Sequence, residues 1–179
     1  VYSRDDEFTA GRRKHPTTIT MKTGVKKDGT IVARQCKAIL DGGAYSSLGP
    51  LTTVLMGTFQ TLPYRFEHYQ YDGYRIYTNK PPCGAMRGHG GPQVHFAQDV
   101  QMDMIAEELG IDPVELRLKN ARQKGDEYPD KSVISSCGLS DCISQGVQAS
   151  GWKERRHKLS SGTGMGIACT TGLTSLNLS

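Results

Sequence analysis

The residues best suited to chemistry lie in one glycine-rich segment, residues 81–93, which reads PPCGAMRGHGGPQ. Its four glycines allow left-handed backbone torsion angles and close approach to a ligand. Arg87 offers a planar guanidinium that suits phosphate or carboxylate, and His89 offers a group that can donate or accept a proton. A helix is predicted directly afterwards, and the start of a helix favours anions. The 81–93 loop is therefore a candidate anion-binding site, although a tight connection between a strand and a helix would explain the glycines equally well.

Other residues with chemical potential form weaker patterns. His89 and His95 are six residues apart, whereas a helical metal site with two histidines needs a separation of four. The glycines of residues 162–166 lack the third glycine of a dinucleotide-binding loop and indicate a turn before a strand. The Cys83 thiol lies close to Arg87 in sequence, but a small buried cysteine is the commoner case. We therefore predict no metal site and no catalytic residue within the chain.

The sequence before the loop predicts strands. Residues 18–33 indicate an antiparallel hairpin around turn residues 27–30, and residues 51–59 favour a short helix. Aromatic and β-branched residues within 65–79 indicate a further strand, in which residues 72–73, Asp-Gly, mark a hairpin turn or a bulge.

The sequence after the loop predicts helices. Apolar residues at helical spacing predict a helix over 94–109, with a proline in its first turn and a glycine after its end. A capping aspartate begins a second helix over 112–120, and a third helix is predicted over 140–150. Residues 167–176 are β-like. Strands followed by helices and then a strand indicate an α+β fold.

Composition excludes several classes of protein. The chain has 179 residues, with 22 Lys and Arg against 18 Asp and Glu, and a net charge of +4 does not call for a nucleic-acid partner. Basic clusters at 12–15 and 153–158 are typical of solvated surface. No apolar run approaches the roughly 20 residues of a membrane span. Five cysteines without a C-x-x-C pair favour reduced thiols in a cytoplasmic protein. The first residue is valine and the last residues are β-like, so we expect an excerpt of a longer polypeptide.

The sequence resembles the molybdenum-binding large subunit of the xanthine dehydrogenase and aldehyde oxidase family. The resemblance is carried, in order, by TAGRRKHP (9–16), DGTIVA (28–33), DGGAY (41–45), RGHGGPQ (87–93) and AEELG (106–110), the last leading into RLKN (117–120). It implies that the loop lies against the pyranopterin and the molybdenum centre. The backbone of Ala85, Met86, Arg87 and Gly88 would then bind this cofactor, and His89 would border the substrate.

The same resemblance implies how the chain is divided. Residues 1–159 would be a partial molybdopterin-binding region, with a strand-rich part (1–80), the cofactor loop (81–93) and a helical part (94–159). Residues 160–179 would begin a following segment. The cofactor would be molybdopterin cytosine dinucleotide, with iron–sulfur clusters and FAD on other segments or subunits. The partners would be those components and the remainder of the large subunit, because the family's essential glutamate base comes from beyond residue 179.

Departures from the family pattern bear on the substrate. Purine-oxidising members carry phenylalanine at the position of His89 and an arginine within the stretch that here is 53–56, and carbon monoxide dehydrogenases carry cysteine at the position of Gly88. The wording of residues 40–47 and 83–90 is most similar to 4-hydroxybenzoyl-CoA reductase. We therefore expect part of a molybdenum hydroxylase or dehydrogenase of an aromatic or heteroaromatic substrate, or of an aromatic acyl-CoA reductase, that is inactive alone. A non-catalytic module for anion binding or subunit interaction is the alternative.

Overall fold

A three-stranded sheet forms the centre of the first half of the chain in the computed structural model, which describes residues 1–172. Its strands are β1 (Thr17–Val25), β2 (Ile31–Asp41) and β3 (His68–Ile76), in the order β1-β2-β3. The first two pair antiparallel, which confirms the predicted hairpin. Gly29 has φ 86° in the connecting turn, a conformation that favours glycine.

The third strand differs from its prediction. It pairs parallel to β2 in continuous register, Lys37 opposite Asp72 and Ala38 opposite Gly73, so the predicted turn or bulge at Asp72-Gly73 is wrong. A Cβ on Gly73 would lie 2.6 Å from the side chain of Thr53, on the helix that joins β2 to β3. The glycine therefore permits close packing of that helix against the strand. Such packing between residues distant in sequence has no local sequence signature.

Helices lie before, between and after these strands, and some of them pack against the sheet. Their bounds are α1 (Arg4–Ala10), α2 (Gly49–Thr61), α3 (Gly91–Leu109), α4 (Pro113–Asn120), α5 (Leu139–Ser150) and α6 (Trp152–Arg155). The predictions for α2 to α5 are confirmed, and α2 is the crossover that parallel pairing of β2 and β3 requires. Helix α1, stabilised by a capping box between Ser3 and Asp6, was not predicted. The mixture of sheet and helices confirms the α+β class.

The end of the described chain is not a strand. Residues 167–172 form no strand, which corrects the prediction for that stretch, and residues 173–176 lie outside the described residues. The backbone N–H of Cys169 donates to Asp99 Oδ1 on α3 (3.0 Å), so this segment is held by α3 rather than by the sheet. The division at residue 159 stays a prediction.

Among residues 1–172, two apolar clusters form the core. One joins Ala38 and Leu40 of β2 to Phe59 of α2 and Val94 of α3, all buried. The other is centred on Met102, where α3 meets α4, α5 and α6. Because the first cluster holds the first turns of α3 against α2 and the sheet, it fixes where the 81–93 loop ends.

A buried ion pair links α3 to α4. Arg117 Nε donates to Asp99 Oδ1 at 3.0 Å, and the same oxygen accepts the Tyr64 hydroxyl at 2.9 Å. Burial raises the pKa of Tyr64, and the adjacent Asp99 raises it further, so the hydroxyl remains a donor. Within residues 1–172, no helix is both long and apolar enough to cross a membrane.

Candidate functional site

The first half of the 81–93 loop is anchored by backbone hydrogen bonds on two sides. Cys83 N–H donates to Gly42 O (3.1 Å), which ties the loop to the turn after β2. Gly84 N–H donates to Arg13 O (3.0 Å), and Arg13 N–H donates to Pro82 O (3.4 Å). The loop is therefore held between the 41–44 turn and the segment before β1.

The second half of the loop is a tight turn that leads directly into α3. His89 N–H donates to Met86 O and Gly91 N–H donates to Gly88 O, both at 2.7 Å. Gly88, His89 and Gly90 all have positive φ, at 91°, 39° and 95°. Such a run suits glycine, and for a histidine it is a strained conformation of the kind found at functional sites.

Close packing also restricts this turn. A Cβ on Gly88 would lie 2.7 Å from the Pro92 ring. A Cβ on Gly90 would lie 2.6 Å from the Met56 side chain and 2.9 Å from the carbonyl oxygen of Thr52, both on α2. Larger residues at either position would displace the turn, so these glycines serve packing as well as torsion.

Between the anchored half and the turn, the loop presents free hydrogen-bond donors. The backbone N–H groups of Ala85, Met86, Arg87 and Gly88 donate to no other residue within 1–172, and all four residues are exposed. The Arg87 side chain is exposed beside them. Successive N–H groups ahead of a helix N-terminus are a donor set that fits the phosphate and carbonyl oxygens of a pterin cofactor. The structure therefore brings together the four predicted cofactor-binding residues in a geometry that can hold such a group.

A pocket of about 470 Å³ is lined in part by the same turn. His89 and Gly88 line it, together with Leu55 and Phe59 of α2 and His95 of α3. The rings of Phe59 and His95 meet edge to face, with centroids 5.8 Å apart. Burial lowers the pKa of His95, whose Nε2 lies 3.1 Å from Thr171 O. The pocket wall beside His89 is therefore apolar and aromatic rather than charged.

One buried histidine behind the loop was not predicted. The prediction of solvated surface for the 12–15 cluster is wrong for His15, because this residue is only 2% exposed. Arg75 Nε donates to His15 Nε2 (3.2 Å), and the amide of Gln93 donates to His15 O (3.3 Å). Burial lowers the pKa of His15, and the neighbouring charges of Arg75 and His89 lower it further. The partner on β3 is remote in sequence, so composition alone could not reveal this contact.

The turn after β2 supports the same region through Asp41. Its carboxylate accepts hydrogen bonds from Lys80 and from Thr78 Oγ1, and these two contacts lower its pKa to about 2. Gly43, in the same turn, has φ 71°, and a side chain there would collide with Pro81 O. The sequence signal for this support is the DGGAY stretch (41–45), which ends β2 and also carries part of the family resemblance.

Cys83 is not a reactive thiol. It is 4% exposed, and burial raises its pKa, so the prediction of a small buried cysteine is confirmed. Within residues 1–172, no three His, Cys, Asp or Glu side chains are grouped so as to hold a metal ion.

Relatives of known type match most of the chain. It is 38% identical over 173 residues to the xanthine dehydrogenase molybdenum-binding subunit of Escherichia coli O157:H7, covering 93% of this chain and 23% of that subunit. It is 34% identical over 161 residues to the nicotinate dehydrogenase large molybdopterin subunit of Eubacterium barkeri, covering 87% and 38%. The chain thus spans well under half the length of these relatives.

The fold agrees with these matches. The solved structure of aldehyde oxidoreductase from Desulfovibrio gigas is similar with a TM-score of 0.76 and 36% identity, over 84% of this chain and 17% of that one. Residues 1–121, which include the 81–93 loop and α3, match the molybdopterin cofactor-binding domain. The chain belongs to the molybdopterin cofactor-binding domain family, and it is similar to part of the xanthine dehydrogenase molybdenum-binding subunit and of aldehyde oxidoreductase.

Proposed function

We propose that the 81–93 loop holds the molybdenum–pterin cofactor of an oxidoreductase subunit, and that His89 borders its substrate. The observation that carries this proposal is the run of four exposed N–H groups at 85–88 without partners among residues 1–172. When bound, the cofactor supplies the redox chemistry at molybdenum. The chain itself binds the cofactor through the backbone of the loop, next to the start of α3. It also presents the imidazole of His89 to the pocket.

The pocket supports an aromatic or heteroaromatic substrate. Leu55 and Phe59 give it an apolar wall, and His89 and His95 add rings that can pack against a planar molecule. Purine-oxidising members carry an arginine within the stretch that here is 53–56. In this chain, Leu55 is the residue of that stretch that lines the pocket. Among the described residues that line the pocket, none is an arginine or lysine that could pair with the polar edge of a purine, so we propose a substrate other than a purine.

The names of the relatives support oxidation as the direction of the reaction. One is named for nicotinate dehydrogenation and others for xanthine dehydrogenation, so oxidation of a heteroaromatic ring is the reaction that we propose. The aromatic acyl-CoA reductase branch, suggested by the wording of residues 83–90, stays a prediction.

Further components are expected to complete the enzyme. Both curated relatives are named as subunits, which supports partners that carry the iron–sulfur clusters and FAD, together with the remainder of the large subunit. The exposed guanidinium of Arg87, beside the free N–H groups, suits a phosphate. It is therefore compatible with the cytosine dinucleotide form of the cofactor.

A non-catalytic module for anion binding or subunit interaction is the second candidate, because the same N–H groups would bind other anions. Analysis of pterin and molybdenum in the assembled enzyme separates the two. We expect Gly88→Val to lose both, because the new side chain meets Pro92 and the φ of 91° is unfavourable to valine. Gly164→Val is the matched control, since a Cβ there meets nothing within 4 Å. Full molybdenum content in the Gly88 variant, or pterin absent from the unsubstituted enzyme, would refute the proposal.

A further inference from the structure

The side chain of Arg12 lies against Gly84, directly before residues 85–88. A Cβ on Gly84 would lie 2.8 Å from Cδ of Arg12 and 3.3 Å from its Cβ, so the aliphatic stem of the arginine runs along this glycine. Gly84 is buried, whereas the four residues that follow it are exposed. Its φ is not positive, so backbone torsion does not require a glycine here. A glycine at position 84 therefore makes room for Arg12.

Backbone hydrogen bonds fix where Arg12 stands relative to the loop. Gly84 N–H donates to Arg13 O (3.0 Å) and Arg13 N–H donates to Pro82 O (3.4 Å), in a short parallel bridge. Arg12 directly precedes this bridge. Because consecutive Cα atoms are about 3.8 Å apart, its stem on Gly84 is one residue from Ala85, where the run of free N–H groups begins.

The guanidinium of Arg12 is exposed, and no group of residues 1–172 forms an ion pair or hydrogen bond with it. The neighbouring Arg13 differs, because its guanidinium donates to the carbonyl oxygen of Phe8. Arg87, within the run of free N–H groups, is exposed as well. Arg12 and Arg87 thus add two planar cationic donor groups to one run of backbone donors, a combination that suits phosphate oxygens.

We propose that Arg12 binds a phosphate group of the cofactor, together with the backbone N–H groups of residues 85–88. Its positive charge and planar donors pair with the phosphate oxygens, while its stem stays packed on Gly84. Arg12 is then a binding residue and not only a part of the solvated surface. This inference rests on the proposed function, since the cofactor of the loop supplies the phosphate.

The rate at which the assembled enzyme loses its cofactor tests this role. We expect Arg12→Ala to release molybdenum and pterin about tenfold faster than the unsubstituted enzyme during dialysis, because a charged hydrogen-bond donor is removed. Arg12→Lys keeps the charge, and its release should stay within about threefold of the unsubstituted rate. Arg4→Ala is the matched control, since Arg4 is an exposed arginine whose guanidinium lies over the Phe8 ring (5.6 Å). It should release the cofactor at the unsubstituted rate.

Salt and inorganic phosphate separate a charged contact from a packing contact. Both should speed release from the unsubstituted enzyme more than from Arg12→Ala, because salt screens and phosphate competes for a contact that the variant lacks. Gly84→Ala tests the stem, since its methyl group meets Cδ of Arg12. It should speed release from the otherwise unsubstituted enzyme and add little to Arg12→Ala.

Several results would overturn the inference. They are equal release from Arg12→Ala and Arg4→Ala, release from Arg12→Lys as fast as from Arg12→Ala, or an equal response to salt with and without Arg12. Failure of both Arg12 variants to assemble would assign the arginine a packing role instead. If the unsubstituted enzyme holds no pterin, the proposed function fails; if it holds pterin and Arg12→Ala retains it as firmly, the inference alone fails.

Discussion

Arg75 occupies the space that a side chain on Gly42 would need, and it donates a hydrogen bond to the carbonyl oxygen of that same residue (2.6 Å). The guanidinium also donates to Tyr45 O (2.7 Å) and to the His15 ring. A glycine in the turn after β2 thus makes room for the cation that holds the turn in place. Gly49, at the start of α2, leaves room for the same guanidinium.

We expect Gly42→Ala to destabilise the protein by about 1–3 kcal/mol, because the methyl group displaces the Arg75 guanidinium and its three hydrogen bonds. Urea unfolding measures the change. Gly24→Ala in β1 is the control, since its Cβ would make ordinary contacts of 3.5 Å or more. Equal stability of the Gly42 and Gly24 variants would show that the turn tolerates movement of Arg75.

The buried pair of Arg117 and Asp99 gives a second stability prediction. Arg117→Leu leaves a nearly buried carboxylate without its cation, and we expect a loss of about 3–5 kcal/mol in the free energy of unfolding. Lys119→Met, which breaks an exposed pair with Asp28, should change it little. If Lys119→Met lowered the free energy of unfolding as much as Arg117→Leu, the prediction would be contradicted, because it rests on the difference in burial between the two ion pairs.

Acid should weaken the turn after β2. The hydrogen bonds from Lys80 and Thr78 hold the pKa of Asp41 at about 2, below the ordinary 3.8. A carboxyl with a lowered pKa in the folded state stabilises the fold above its unfolded pKa, and this contribution is lost as the pH falls from about 4 towards 2. We expect Asp41→Asn to flatten the pH dependence of the unfolding free energy in that window. Lys80→Met should flatten it in part, and an unchanged slope in the Asp41 variant would reject the assignment.

Sequence patterns predicted the elements whose signals are local. The β1–β2 hairpin follows from the turn around Gly29, and α3 follows from Pro92 at its start and Gly110 after its end. The 81–93 loop was found for the same reason, since glycines and a following helix are adjacent in sequence. Long-range pairing was not predictable: the parallel pairing of β3 and the burial of His15 depend on contacts over 35 to 60 residues.

Thiol labelling should follow burial in the native chain. Cys142 is exposed, whereas Cys36, Cys83 and Cys169 are buried with raised pKa values. We expect an alkylating reagent to modify Cys142 first and the three buried thiols only after unfolding, because reaction needs both access and thiolate. Peptide mass spectrometry over time gives the order. Early modification of Cys83 would show that the anchored half of the 81–93 loop opens in solution.

The separation of roles within the loop gives the last prediction. A backbone contact survives removal of a side chain, so Met86→Ala should leave both cofactor content and kinetics near normal, although Met86 belongs to the proposed cofactor-binding run. His89→Ala removes the ring that lines the pocket and should lower kcat/KM about tenfold or more with molybdenum content retained. At position 89, alanine and histidine both meet the same unfavourable φ of 39°. His89→Ala therefore differs from the unsubstituted enzyme in the ring and not in backbone strain. Steady-state kinetics with a heteroaromatic substrate, together with metal analysis of each variant, measures both effects. Loss of molybdenum in His89→Ala, or a kinetic defect in Met86→Ala as large as that of His89→Ala, would mean that binding of cofactor and of substrate is not divided between backbone and side chain in this way.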